Sequence, residues 1–115
     1  MPTLSPPIVP LRSDRADDPR FLPLLLAYVD DLARTRDRVR ALVETGDGVA
    51  LARCAHHLSG TGGAYGYPAV GDAAAHLERV LSDGEVGAAH AAVDALLDVL
   101  TRAIVGAPRL VTAAA

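Results

Sequence analysis

Residues 53–68 read RCAHHLSGTGGAYGYP, a run in which a helical pattern passes into a glycine-rich stretch. Leu51, Ala55 and Leu58 recur at three- and four-residue steps, the spacing of an apolar helix face. The run then carries several glycines close together, namely Gly60, Gly62, Gly63 and Gly66. Each glycine inside a helix costs about 1 kcal/mol relative to alanine. The run therefore either ends a helix, or leaves a helix surface bare so that another molecule can come close.

Apolar residues at helical spacing recur along the rest of the chain, and capping or turn residues divide them into four segments. No segment alternates with period two, so the sequence predicts an all-α fold. The connections are short, which favours an antiparallel four-helix bundle. The first helix is predicted to start at Asp18-Pro19 and to stop at Gly46. Asp47 is predicted to cap the second helix, and Pro68 to start the third. The fourth is predicted to lie between a turn at 82–85 and a stop at Gly106.

The two ends of the chain lack helical periodicity. Residues 1–17 are proline-rich and predict an extended N-terminal arm, with Leu11 tucked onto the core. Residues 18–107 form the predicted bundle, and the Ala-rich residues 108–115 form a C-terminal tail. At 115 residues the chain is long enough for one domain with a real core.

Composition excludes several classes of protein. The net charge of −3 and the absence of a basic cluster argue against nucleic-acid binding. A single cysteine, Cys54, cannot form an intramolecular disulfide, which is consistent with a reducing compartment. The longest apolar run, Leu22 to Val29, is far shorter than the ~20 residues of a membrane helix, and the N-terminus does not resemble a secretory signal. We expect a cytoplasmic monomer that binds neither membranes nor nucleic acid.

A helical wheel separates the two adjacent histidines. At about 100° per residue, and with Leu58 at the centre of the apolar face, His56 falls roughly 160° away whereas His57 falls about 100° away on a flank. Apart from Arg53, the neighbours of His56 on the outer face are small: Ala52, Ser59, Gly60 and Gly63. This bare face would admit a partner's backbone and a bulky anionic group. The alternative is that the glycines form a helix end and that His56 is an ordinary surface residue.

The segment from Ala55 to Glu78, AHHLSGTGGAYGYPAVGDAAAHLE, resembles the signature of histidine-containing phosphotransfer (HPt) domains. The family motif reads His-x-Leu-Lys-Gly, followed by small residues and a later Leu-Glu pair. The matching positions are His56, Leu58, Gly60, Gly66 and Leu77-Glu78. The resemblance covers about residues 18–106 and implies a four-helix bundle with an exposed histidine in the middle of a helix.

The resemblance also implies a function. His56 would accept a phosphoryl group from a phospho-aspartyl receiver domain and relay it to another, so that the chain is a phosphoryl carrier rather than a self-contained catalyst. The expected partners are response-regulator receiver domains and a (hybrid) histidine kinase. No cofactor is expected on this chain, because Mg²⁺ would belong to the receiver.

The resemblance assigns further residues to two groups. The family's lysine, three residues after the histidine, is Ser59 here, and either Ser59 or Arg53 would replace it in part. The residues expected around the phosphoryl group are Arg53, Ser59 and Gly60, and those expected on the docking surface are Ala52, His57 and Gly63.

Two alternatives stay open. His57 could be the phosphorylated residue, although it fits the motif offset poorly and points to a flank. The chain could also be a non-phosphorylated helical adaptor that binds a kinase or receiver, an interpretation that the missing lysine favours. His76 and His90 lie beside apolar stripes and are interpreted as packing or surface residues. No metal site is predicted, because the histidines lack the spacing of metal ligands.

Overall fold

The computed structural model describes residues 8–108 of the chain. Within that range the chain forms four α-helices and no strand, so the predicted all-α fold is confirmed. The helices are α1 (Leu22–Thr45), α2 (Gly48–Ala64), α3 (Pro68–Ser82) and α4 (Val86–Val105). Residues 1–7 of the predicted arm and 109–115 of the predicted tail lie outside the described residues.

The predicted caps between the first three helices are confirmed. Gly46 ends α1 in the left-handed conformation with φ 70°, and its N–H donates to the carbonyl groups at the end of the helix. The Asp47 side chain accepts a hydrogen bond of 3.1 Å from the N–H of Ala50, which satisfies an otherwise unpaired donor in the first turn of α2. Pro68 begins α3, where its missing N–H costs nothing.

The first helix begins later than the sequence predicts. The sequence predicts an Asp18-Pro19 start, but α1 begins at Leu22 and has Pro23 in its first turn. The Asp18 carboxylate instead accepts a 3.0 Å hydrogen bond from the N–H of Arg20 and so organises a turn ahead of the helix. Both prolines precede the same apolar stripe, and the one at 23 occupies the position where a missing N–H is harmless.

The first three helices alternate in direction. The Tyr28 hydroxyl, in the second turn of α1, lies 2.9 Å from that of Thr61, in the last turn of α2. The end of α2 in turn packs against the start of α3 at Gly62 and Gly71. The core between the helices consists of aliphatic side chains from all four, including Leu25, Leu32, Val39, Leu58, Val70, Leu77, Leu96 and Leu100.

The closest approach of α2 and α3 is made by two glycines. A Cβ atom on Gly62 would lie 2.5 Å from the backbone nitrogen of Gly71 and 3.1 Å from the carbonyl oxygen of Tyr67. Gly62 therefore leaves no room for a side chain. Gly60 and Gly63, in the same helix, would place a Cβ atom more than 4 Å from any neighbour that could block it. One glycine of the run thus serves helix packing, and two leave open surface.

All four aromatic residues of the chain lie at the same end of the bundle: Phe21, Tyr28, Tyr65 and Tyr67. The rings of Tyr28 and Tyr65 stack with centroids 4.1 Å apart. Tyr67 is fully buried, and burial raises its pKa to about 12, so the phenol stays protonated at neutral pH. The few aromatic residues of the sequence therefore cluster where α1, α2 and α3 meet.

The described part of the arm closes this end of the bundle. The N–H of Leu11 donates to the carbonyl of Arg102 at 2.9 Å, which ties the arm to the last turn of α4. The hydroxyl of the buried Ser13 donates to the carbonyl of Tyr65 at 2.7 Å, and the N–H of Asp14 donates to the carbonyl of Gly66 at 2.8 Å. The partial burial of Leu11 against the core agrees with the sequence-based prediction.

Substituting two glycines of α2 by alanine should change the free energy of unfolding in opposite directions. Gly62→Ala should lower the free energy of unfolding by about 1–3 kcal/mol, because the added methyl group collides with the backbone of α3. Gly60→Ala should raise it by about 1 kcal/mol, since alanine favours the helix and the added group meets open space. Urea unfolding followed by circular dichroism measures both changes. Equal effects of the two substitutions would contradict the different packing of the two positions.

Candidate functional site

His56 lies in the middle of α2 with its side chain 76% exposed, so it points outward as the helical wheel predicts. Its Nδ1 atom lies 2.8 Å from Oε2 of Glu78, a half-buried carboxylate on α3. The contact joins residues 22 positions apart in the sequence. The two residues form a histidine–carboxylate pair on the surface of the bundle.

The carboxylate determines which nitrogen of His56 is free. An ionised Glu78 only accepts hydrogen bonds, so Nδ1 carries the hydrogen and donates it to Oε2. In the neutral ring the other nitrogen, Nε2, then keeps its lone pair. The pair therefore presents a nucleophilic nitrogen to solvent. It also places a negative charge beside the ring, which favours any positive charge that develops there.

Ser59 is not turned toward the imidazole ring. Its hydroxyl donates a 2.6 Å hydrogen bond to the backbone carbonyl of His56, one turn earlier in the same helix. Ser59 is one of the two residues expected to replace the family's lysine. Its hydroxyl group donates its hydrogen to the backbone of the same helix, so that hydrogen is not available to a phosphoryl group. Arg53 is exposed one turn before His56, and within residues 8–108 it forms no salt bridge.

The surface beyond His56 is bare. Gly60 and Gly63 are exposed, and nothing within 4 Å of either would meet a Cβ atom. A flat backbone surface of this kind admits close approach by another backbone. The structure thus brings the exposed histidine and the open glycine positions onto one side of α2.

Two grooves run beside α2, and one contains Glu78, the partner of His56, while the other contains the neighbouring His57. The groove between α2 and α3, about 860 Å³ in volume, is lined by Ala52, Arg53, Glu78 and Arg79 among others. The groove between α1 and α2 is smaller and contains His57, Leu24 and Thr61. Of the three expected docking residues, Ala52 and His57 therefore lie in different grooves, and Gly63 lines neither.

Sequence reasoning missed the contact that orients His56. In the sequence, only the Leu-Glu pair of the family motif marks Glu78, and no periodicity within one helix connects it to a residue on another. Arg79, the next residue, carries no such signal. His76 and His90 are both exposed, in agreement with their interpretation as surface residues.

Cys54 does not compete as a nucleophile. It lies half-buried on α2, two residues before His56, and burial raises the pKa of its thiol, so the reactive thiolate is scarce at neutral pH. Across residues 8–108, no group of three or more His, Cys, Asp or Glu side chains is placed to hold a metal ion. None of the helices in this range is both long enough and apolar enough to cross a membrane.

Comparison with known proteins agrees with this architecture. The family model of the Hpt domain matches residues 23–106, which include all four helices apart from the first residue of α1. No curated protein and no solved structure matches the chain. The match extends over most of the sequence, and it includes His56, Glu78 and the glycines between them. The chain belongs to the family of Hpt domains.

Proposed function

We propose that His56 accepts a phosphoryl group from the phospho-aspartyl residue of a receiver domain and relays it to another receiver. Hpt domains in general carry phosphoryl groups between proteins of phosphorelays and are not themselves catalysts. The observation that supports His56 as the carrier residue is its exposed ring, whose Nδ1 is bound to Glu78 and whose Nε2 is free. His57 has no such partner among the described residues.

The transfer step uses the free nitrogen of His56. The lone pair of Nε2 forms a bond to phosphorus, and the bond between phosphorus and the aspartyl oxygen breaks, so that the electron pair leaves with the aspartate carboxylate. The imidazole ring gains a positive charge in this step. The Glu78 carboxylate, 2.8 Å from Nδ1, offsets that charge while the Nδ1 proton stays on the ring.

The residues on this side of α2 indicate which groups this chain supplies for the transfer and which the receiver must supply. Phosphoryl transfer depends mainly on positioning and on neutralising charge. The chain supplies an oriented nucleophile on a rigid helix, and the receiver would supply the phospho-aspartate and Mg²⁺. Either a receiver or a (hybrid) histidine kinase carrying one would be the donor.

The docking surface includes the open side of α2 and the groove beside it. Gly60 and Gly63 would let the backbone of the receiver approach, and Ala52 and His57 lie on either side. The groove next to His57 is edged by Leu24, an exposed aliphatic side chain on α1. An apolar residue of the receiver would cover Leu24 and exclude water around the site.

The relay predicts labelling that depends on His56 alone. Incubation with a receiver phosphorylated with radioactive phosphate should transfer acid-labile label to the wild-type protein and to His57→Gln. It should transfer none to His56→Gln, because that residue has no nucleophilic nitrogen. Label on His56→Gln equal to that on the wild type would contradict the assignment. Binding of the receiver without any labelling would instead favour a helical adaptor.

The contact with Glu78 predicts a change in the ring of His56. Glu78→Ala should shift part of the neutral ring to the form that carries hydrogen on Nε2, and should slow phosphoryl uptake about tenfold because the offsetting charge is lost. The ¹⁵N chemical shifts of the ring report the first effect, and the labelling rate reports the second. Glu44→Ala, an exposed glutamate on α1, serves as the control. Unchanged ¹⁵N shifts in Glu78→Ala would rule out the proposed orientation of the ring.

A bulky side chain on the open surface of α2 should slow phosphoryl transfer without changing the stability of the fold. Gly63→Leu should leave the melting temperature nearly unchanged, since the side chain meets open space, but should slow transfer by obstructing the receiver. Gly87→Leu, at an equally open position on α4, should affect neither. The idea of a docking surface fails if the two variants transfer phosphate at the same rate.

A further inference from the structure

Two arginines in the groove between α2 and α3 have no acidic partner. Four other arginines form salt bridges with aspartates: Arg12, Arg34, Arg40 and Arg102. Arg53 and Arg79 form none with any residue from 8 to 108, although both line the groove that contains Glu78. Glu78 itself is bound to His56. The groove therefore holds two arginines that form no salt bridge with either of its carboxylates, Glu78 and Asp83.

The two arginines lie on different helices and line the same groove as Glu78. Arg53 is one turn before His56 on α2, and Arg79 directly follows Glu78 on α3. Nη2 of Arg79 lies 3.3 Å from Nδ1 of His76, which is a long hydrogen bond between exposed groups. Such a contact holds the side chain weakly, so that little free energy opposes its rotation toward the groove.

The floor of the groove strengthens the effect of these charges. Its other lining residues are five small or aliphatic ones, Gly48, Val49, Ala52, Ala75 and Leu81, together with Ser82 and a second carboxylate, Asp83. A charge beside apolar surface is screened less than one surrounded by water. A phosphoryl group on Nε2 of His56 would bring about two negative charges to the edge of this groove. Glu78 would repel that group, and positive charge from elsewhere would offset the repulsion.

Resting on the proposed function, we infer that Arg79 acts together with Arg53 to bind the phosphoryl oxygens on His56, in place of the lysine that the family carries at the position of Ser59. The hydroxyl of Ser59 is engaged with the backbone, whereas the groove that contains Glu78, the partner of His56, carries both arginines. A guanidinium group offers parallel N–H donors that match the geometry of phosphate. The charge thus comes from the preceding turn of α2 and from α3.

The test separates this inference from the relay itself by using a small phosphoryl donor. Potassium phosphoramidate transfers its phosphoryl group to the imidazole nitrogen and releases ammonia, so no receiver is needed. The protein phosphorylated in this way is followed by ³¹P NMR, and the resonance of His56 is the one that His56→Gln removes. The variants are Arg79→Gln, Arg53→Gln, the double variant and Arg79→Lys. Arg20→Gln, an exposed arginine without a salt bridge in the described range, is the matched control.

We expect Arg79→Gln to lower the rate of phosphorylation at His56 about fivefold, and the double variant to lower it further. The phosphoryl group should also titrate at higher pH in these variants, because a neighbouring positive charge favours its dianion. Arg79→Lys should restore most of the rate, a rescue that a purely structural role of Arg79 would not show. Arg20→Gln should match the wild type, and circular dichroism confirms that each variant is folded.

The outcomes distinguish the two proposals. If Arg79→Gln has the same phosphorylation rate and the same phosphoryl titration as the wild type and Arg20→Gln, the role of Arg79 is overturned. This holds even if receivers transfer phosphate to His56 normally. Conversely, loss of rate in Arg79→Gln with phosphoramidate, combined with no transfer from any receiver, supports the role of Arg79 and overturns the relay. Failure of phosphoramidate to modify His56 in the wild type overturns the binding of the phosphoryl group by the arginines, whereas labelling from a receiver decides the relay separately.

Discussion

The contact between α2 and α3 at Gly62 and Gly71 sets the distance on which the site depends. Because neither residue has a side chain, the two backbones approach closely enough that a Cβ atom at position 62 would lie 2.5 Å from the partner nitrogen. Two turns away, the same pair of helices holds His56 and Glu78 at 2.8 Å. A glutamate side chain has a fixed reach, so any widening at the glycines would separate the carboxylate from the ring. The packing of Gly62 against Gly71 thus determines whether Glu78 can reach the exposed ring of His56.

The same helix serves two opposite requirements because of its periodicity. One side of α2 must be fully packed, and there Leu51, Ala55 and Leu58 enter the core. The opposite side must stay accessible, and there His56 is followed by exposed glycines. Leaving that side bare lowers the helix propensity of the segment. The close contact with α3 offsets this cost, so that the helix continues through the glycines to Ala64.

The sequence was sufficient for those features that depend on residues close together in the chain. The caps at Gly46, Asp47 and Pro68 and the outward direction of His56 follow from local chemistry and from the helical period, and the structure agrees with each. The start of α1 was misplaced because two prolines, four residues apart, suit a first turn equally well.

The features that the sequence did not reveal depend on contacts between helices. The hydrogen bond of Glu78, the engagement of Ser59 with the backbone and the packing of Gly62 all depend on rotamers or on interhelical distances. Periodicity assigns residues to a face, but it does not specify which atoms meet across it. For Glu78 the family motif marked the residue, although not its partner.

The hydrogen bonds of residues 11–14 bear on where the domain ends. These residues lie before the part of the chain that is shared with the family, yet they bond to both the α2–α3 connection and the last turn of α4. A fragment cut at the start of α1 would expose the carbonyl groups of Gly66 and Arg102 and uncover apolar surface beneath Leu11. The packed part of the structure therefore extends beyond the residues that the family model matches, and truncation at the start of α1 would remove contacts of the fold.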